Sequence, residues 1–155
     1  MDYPILKNVH NIVIHESDLP KGRGWSPLIW QVLEGRNKIP IVAFEAVEEL
    51  DAGEVYLIDY IELDGSELWP ELKEKQGEKS AELVYQLIDM YPDLVGKPQE
   101  GEPSYYPKRT QKDDEIDPSR SIVECFNQLR IVNNEEFPAW FSHKGHTYKI
   151  KIYKT

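Results

Sequence analysis

The spacing of apolar and polar positions along the chain predicts a mixture of strands and helices. The segment HNIVIH, residues 10–15, is a short β-branched run and predicts a buried strand that carries His15 at its carboxyl end. The runs IPIVAFEAV and EVYLIDYIEL predict two further strands. EELDAG, the turn-bearing segment between them, contains Asp51 and is typical of a connection between neighbouring strands.

A short helix is predicted directly after the first strand and its loop. Ser26 is a suitable N-cap and Pro27 a suitable first helical residue, and Gly35 ends the pattern, so the helix covers about 26–34. Its free N–H groups are expected to face the preceding segment GRG, residues 22–24.

A longer helix is predicted between Ser66, its expected N-cap, and Pro92, which ends it. Its apolar side chains recur at helical spacing and are expected to lie on the sheet: Val84, Leu87, Ile88 and Tyr91.

The remainder of the chain divides by composition. Residues 96–118 hold prolines and charges without periodicity and predict an extended linker. Beyond it, a short helix and a hairpin turning at Lys144-Gly145 are expected. We therefore predict an α/β fold with a core over residues 1–95, the linker, and a helix-plus-hairpin tail over 119–155.

Composition and charge limit the function classes. The chain has 155 residues and a formal net charge of −10, which disfavours nucleic-acid backbones as main partners. No export leader or long apolar run is evident, so a cytoplasmic location without membrane contact is expected. Cys125 has no partner for an internal disulfide, and His143 with His146 makes a poor metal site, so no metal is expected.

His15 is the leading candidate for chemistry. A neutral imidazole near pH 7 can take a proton from an attacking amine or water if another group fixes its tautomer and stabilises the imidazolium. Asp51, in a turn expected at the same sheet edge, could supply that acid. Pattern alone also allows His15 to be a hydrogen-bonded structural residue.

The segment HESDLPKGRGWSPLIWQVLEG followed by FEAVEELDAGEVYL resembles the N10-formyltetrahydrofolate-dependent formyltransferases, which include methionyl-tRNA formyltransferase and the nucleotide-sugar N-formyltransferases. That family shows a His, a loop ending in Leu-Pro, a Gly-rich turn, a Pro-initiated helix and a Leu-Asp-x-Gly turn with the catalytic Asp. His15 and Asp51 fall on these two positions. KRTQKDDEID and LRIVNNEEFPAWF look similar too, so the resemblance extends from about Asn11 onward.

The resemblance implies the C-terminal half of a Rossmann-like formyltransferase sheet. It implies N10-formyltetrahydrofolate as formyl donor, His15 as the base toward the acceptor amine and Asp51 as the residue that orients it. The family's Asn, which helps to hold the formyl oxygen, has Asn11 as its available candidate here. The folate is expected against the turn formed by Val47, Glu48, Glu49, Leu50 and Asp51.

The acceptor implied by the resemblance is a small amine. YYPKR and FPAWF look most like enzymes that formylate nucleotide-linked amino sugars, whereas an initiator-tRNA enzyme would be expected to carry a further RNA-binding domain and a basic surface. The expected substrate contacts are Lys21, Arg23, Trp25, Tyr105 and Arg109, with Trp140 as a further stacking candidate.

Two departures from the family pattern leave alternatives open. Val13 stands where the family has its Asn, and only fourteen residues precede His15, where the family has several further strands and helices. We therefore expect self-association or a completing partner chain. The alternatives are a folate deformylase, a non-catalytic remnant of the fold, and a half-enzyme that works only with its partner.

Overall fold

The structure, a computed structural model, describes residues 8–155. Its elements are, in chain order, β1 (Ile12–His15), β2 (Arg23–Gly24), α1 (Pro27–Leu33), β3 (Lys38–Glu45), β4 (Val55–Glu62), α2 (Trp69–Met90), β5 (Tyr105–Tyr106), a 3₁₀ turn (Gln111–Asp114), α3 (Phe126–Arg130), β6 (Ala139–His143) and β7 (His146–Ile150). Within the described range, no helix is long and apolar enough to cross a bilayer.

A three-stranded antiparallel sheet forms the centre, in the order β1, β3, β4. β3 is the middle strand, and its residues from Ile39 to Phe44 are buried because both edges are paired and both faces are covered. The register places His15 opposite Val42. The three predicted strands are therefore confirmed, and the first delivers His15 at its end. The expectation that the first strand is buried was wrong, because β1 lies at the edge of the sheet and its Val13 is 38% exposed.

Helix α2 packs against β4 and β3 through a narrow seam formed by Leu72, Leu83 and Leu87. The prediction of which helix face lies on the sheet was wrong in part, because Val84, Ile88 and Tyr91 are exposed. The three leucines are eleven and four residues apart, a spacing that keeps side chains on one line along a straight helix. The apolar residues beside this line remain exposed to solvent.

The start of α2 also differs from the prediction. Leu68 is the N-cap, and its backbone N–H donates to Glu71 Oε2 at 2.8 Å. Ser66 lies two residues earlier, where its N–H donates to Asp64 Oδ1 at 2.7 Å. The prediction of Ser66 as the cap was wrong because Glu71 provides the stabilising acceptor in the first turn.

The linker and tail pack around this centre. Residues 96–118 are mostly irregular, but β5 pairs in parallel with β2 and so ties the segment to the loop after His15. The β6–β7 hairpin turns at Lys144-Gly145 as predicted, and both residues have positive φ angles of 49° and 79°. The core joins α1, β3, α2 and α3 through residues such as Leu28, Ile39, Leu72 and Leu129.

Candidate active site

His15 is buried at the end of β1, with 7% of its surface exposed. Its Nε2 lies 2.8 Å from the carbonyl oxygen of Gly22, and its ring meets Phe44 edge-on. Because a carbonyl oxygen only accepts, Nε2 must carry the proton of this hydrogen bond. The neutral ring therefore has its free lone pair on Nδ1, with which no group within residues 8–155 is hydrogen-bonded.

Asp51 reaches the same place from the loop between β3 and β4. Its Oδ2 lies 4.0 Å from His15 Nε2, and the two side chains are 12% and 9% exposed. The same oxygen accepts the N–H of Gly24 at 2.9 Å. The structure thus brings His15 and Asp51 together, but the carbonyl of Gly22 rather than Asp51 fixes the ring. The prediction that Asp51 directly orients His15 needs this correction because the carboxylate lies beyond hydrogen-bond distance.

Two glycines allow close backbone contacts around this site. Gly24 has a φ of 101°, and a Cβ there would lie 2.5 Å from the carbonyl oxygen of Tyr106. At Gly53 a Cβ would lie 1.7 Å from the carbonyl oxygen of Glu45. Any side chain at either position would displace backbone, so Gly24 allows β2 to lie close to β5, and Gly53 allows the β3–β4 loop to lie close to the end of β3.

The loop predicted to face the folate is largely open. Val47 and Leu50 are 45% and 44% exposed, and Glu48 and Glu49 are exposed beside them. Asp51 adopts a left-handed φ of 51° in the loop that leads into β4. Val47, Glu48, Glu49 and Leu50 therefore offer an accessible apolar and acidic surface beside Asp51, whose own side chain is only 12% exposed.

Arg23 is placed differently from the prediction. Its side chain is 7% exposed, and its Nη1 donates to Glu49 Oε1 at 2.7 Å while Nη2 donates to Gln99 Oε1 at 2.8 Å. Burial alone lowers its pKa, but hydrogen bonds to Tyr105 and Glu49 raise it by more, so its net pKa is raised. Arg23 was expected to hold a substrate phosphate, but both terminal nitrogens are already engaged within the fold.

The other predicted substrate contacts are of two kinds. Lys21 is exposed, Tyr105 is 56% exposed and Trp25 is 47% exposed, so all three are accessible near the loop after His15. The Lys108 ammonium lies 5.1 Å from the centre of the Trp25 ring. Lys108 and Trp25 together form a cationic and aromatic surface. The predicted substrate contacts included Trp25 but not Lys108.

Arg109 and Trp140 lie with the linker and tail. The Arg109 guanidinium bonds to Asp114, and its side chain borders a cavity of about 590 Å³ together with Lys73 and Lys149. Trp140 Nε1 donates to the carbonyl of Gln111 at 2.7 Å, which stabilises the 3₁₀ turn. The stacking role considered for Trp140 is not supported by this contact.

Asn11 is not brought to His15. It lies four residues earlier, about 13 Å along an extended strand. Its amide exchanges hydrogen bonds with Asn8, and its backbone N–H donates to Glu45 Oε1 at 2.6 Å. The assignment of Asn11 as the residue that holds the formyl oxygen is therefore contradicted by its position.

Sequence reasoning missed Gln99. Its Nε2 donates at 2.8 Å to the carbonyl oxygens of both Asp51 and Gly53. A lone glutamine in an irregular segment gives no pattern that could reveal such a role. No group of three or more His, Cys, Asp or Glu residues in the described part of the chain is arranged to hold a metal ion.

Comparison with known proteins adds relatives in sequence and in structure, although no family model matches the chain. A methionyl-tRNA formyltransferase from Sulfurihydrogenibium sp. (strain YO3AOP1) is 35% identical over 124 residues, which is 78% of this chain and 40% of that relative. Over this region the chain is a formyltransferase homologue. The homologue spans less than half of the length of such curated relatives.

Solved structures confirm that the formyltransferase homologue has the corresponding fold. A 4-N formyltransferase from Francisella tularensis matches with a TM-score of 0.77 and 21% identity, covering 93% of this chain and 62% of that one. Methionyl-tRNA formyltransferase from Clostridium thermocellum matches with a TM-score of 0.74 and 22% identity, covering 100% and 69%. HypX from Aquifex aeolicus, solved with tetrahydrofolic acid, matches with a TM-score of 0.69 and 18% identity. This match covers 91% of this chain and 25% of that one. The expected relation to a formyltransferase sheet is confirmed.

Proposed function

We propose that the chain carries the proton-transfer part of an N-formyltransferase site, with N10-formyltetrahydrofolate as donor and an amine as acceptor. The observation that carries this proposal is the convergence of His15 and Asp51, 4.0 Å apart and both largely buried, from the end of β1 and the β3–β4 loop. The formyltransferase relatives and the HypX complex with tetrahydrofolic acid support the choice of reaction and donor.

In this proposal His15 receives the proton that the amine loses as it bonds to the formyl carbon. With Nε2–H donated to the Gly22 carbonyl, Nδ1 is the nitrogen that accepts it. The proton then leaves with the donor nitrogen as its bond to the formyl carbon breaks. The Asp51 carboxylate, whose side chain is 12% exposed, stabilises the imidazolium between these two transfers.

The exposed face of the β3–β4 loop is the proposed folate contact, since Val47 and Leu50 offer apolar surface beside Asp51. Trp25 and Tyr105 offer aromatic faces, and Lys21 with Lys108 offers positive charge, for the acceptor. A net charge of −10 favours a small amine such as a nucleotide-linked amino sugar over tRNA. The name of the Sulfurihydrogenibium relative makes methionyl-tRNA the second acceptor to assay.

Formyl transfer by the purified chain is the direct test. N10-formyltetrahydrofolate is supplied with nucleotide-linked amino sugars or with methionyl-tRNA, and formylated product is measured for the unaltered chain, His15→Gln and Asp51→Asn. His143→Gln is a matched control because that histidine lies exposed at the hairpin. We expect His15→Gln to lower kcat by about 10²- to 10⁴-fold, the range for loss of a general base.

Three other outcomes would overturn the proposal. Formate release that needs no amine would identify a deformylase. Donor consumption that is unaffected by His15→Gln would remove His15 from the chemistry. No donor consumption under any condition would show that the chain alone is not a working enzyme, as expected of a non-catalytic remnant or a half-enzyme.

A further inference from the structure

The buried guanidinium of Arg23 joins segments that are far apart in sequence. We propose that Arg23 and Gln99 form a clamp that positions the Asp51 loop against β2, so that Arg23 is a positioning residue and not a phosphate ligand. Its catalytic consequence rests on the proposed function, whereas its effect on the loop does not. We call this pair the Arg23–Gln99 clamp.

The contacts run in one continuous path. Arg23 Nη2 donates to Gln99 Oε1 at 2.8 Å, and the Gln99 amide donates at 2.8 Å to the carbonyl oxygens of Asp51 and Gly53. Arg23 Nη1 donates to Glu49 Oε1 at 2.7 Å, at the other side of the same loop. The clamp therefore holds two backbone carbonyls of the loop through Gln99 and the side chain of Glu49 through Arg23.

The loop is also fixed from the neighbouring residue. The backbone N–H of Gly24 donates to Asp51 Oδ2 at 2.9 Å. Gly24 therefore binds the carboxylate of Asp51 directly, while Arg23, the residue before it in β2, holds the carbonyl of Asp51 through Gln99. β2 is itself held by β5 and the residue before it, since the N–H of Arg23 donates to the carbonyl of Ser104 at 2.9 Å and the N–H of Trp25 to the carbonyl of Tyr106 at 3.1 Å. The carboxylate is thereby set at its distance from His15.

An arginine fits this position better than a lysine does. Its planar guanidinium directs two terminal nitrogens to two separate acceptors, Glu49 and Gln99, while the side chain stays 7% exposed. A lysine would place one compact ammonium among the same groups and would satisfy one acceptor at a time. Loss of the clamp would leave the Asp51 loop with a wider range of positions, and misplacement by about 1 Å can lower a rate about 100-fold.

The experiment compares Arg23→Lys and Gln99→Glu in the full chain. Gln99→Glu keeps an oxygen for Arg23 but cannot donate to the carbonyls of Asp51 and Gly53. It therefore removes these two hydrogen bonds with little change in side-chain shape. Arg120→Lys is the control, since Arg120 is exposed and contacts the carbonyl of Glu124. Hydrogen exchange of residues 46–54 and steady-state formyl transfer are measured for each.

We expect both clamp variants to exchange faster in residues 46–54, to lose about 10- to 100-fold in kcat, and to keep the acceptor KM within about twofold. Arg120→Lys should match the unaltered chain. A raised acceptor KM with unchanged kcat and unchanged exchange would show that Arg23 binds substrate and would overturn the clamp, as would unchanged exchange alone. If the unaltered chain transfers no formyl group, the proposed function fails, while the exchange measurement still decides the clamp.

Discussion

Val13 and His15 project from the same side of β1, because side chains two residues apart in a strand share a face. Val13 is 38% exposed and lies about 7 Å along the strand from His15. The family resemblance places an asparagine amide at this position, where it would help to hold the formyl oxygen. Valine offers no donor, so the site has His15 and Asp51 without that third group.

Restoring the amide should therefore increase formyl transfer. We expect Val13→Asn to raise kcat at least about tenfold, since a single donor to a developing oxyanion contributes about 10²- to 10³-fold. Steady-state rates with a responsive amine measure the gain. Val13→Leu is the matched control, because leucine is close to asparagine in size and has no hydrogen-bond donor, and equal rates for the two variants would contradict the prediction.

At the scale of elements, local patterns were predictable and distant pairings were not. The Lys144-Gly145 turn and the Pro27 start of α1 follow from short-range backbone preferences, so the sequence predicted both. Arg23 and Asn11 were assigned wrong partners because their contacts, Gln99 and Glu45, lie 76 and 34 positions away. The meeting of His15 with Asp51 was predictable because each follows a clear strand.

Glu45 anchors the start of β1 to the end of β3. It accepts hydrogen bonds from the Asn11 N–H at 2.6 Å and the Tyr56 hydroxyl at 2.8 Å, and it lies 3.2 Å from His10 Nδ1. Burial alone raises the pKa of Glu45, but these contacts lower it by more, so its net pKa lies below the ordinary value of 4.5. The charged form of Glu45 thus stabilises the fold.

This depressed pKa predicts an acid-dependent contribution to stability. The contribution is fully present above the ordinary pKa of 4.5 and is lost as the pH falls through the lower folded-state pKa. We expect Glu45→Gln to lower the free energy of unfolding at pH 7 and the deficit to shrink as the pH falls below 4.5. Urea unfolding between pH 3 and pH 7 measures this, with exposed Glu102→Gln as control. A deficit that is constant with pH would contradict the prediction.

At the scale of the whole molecule, one edge of the three-stranded sheet is unpaired within residues 8–155. β1 pairs with β3 and, among the strands of residues 8–155, with no other. Beside it lies an apolar groove of about 520 Å³ lined by residues that include Ile12, Ile14, Val84, Ile88 and Tyr91. An edge strand next to exposed apolar surface favours association with another polypeptide.

We expect the chain to self-associate through this groove at micromolar concentrations. Ile88→Glu places a charge in the groove and should shift the chain toward monomer, whereas Tyr85→Glu, on an exposed position of α2 outside the groove, should leave the mass unchanged. Light scattering after size-exclusion chromatography measures the mass of each. A monomeric unaltered chain, or equal masses for the two variants, would contradict self-association through the groove.

The contact between α1 and the linker gives the molecule an internal optical reporter. Trp30 stacks on Tyr106 with ring centres 6.2 Å apart, and its Nε1 donates to the Pro107 carbonyl at 3.0 Å. Its indole therefore borders the linker segment that carries β5 and so supports β2. Release of this segment would bring water to the indole and shift its fluorescence to longer wavelengths. In a variant whose other three tryptophans are replaced by phenylalanine, light emission from Trp30 therefore follows the attachment of the segment that holds Arg23 and Gly24 in place.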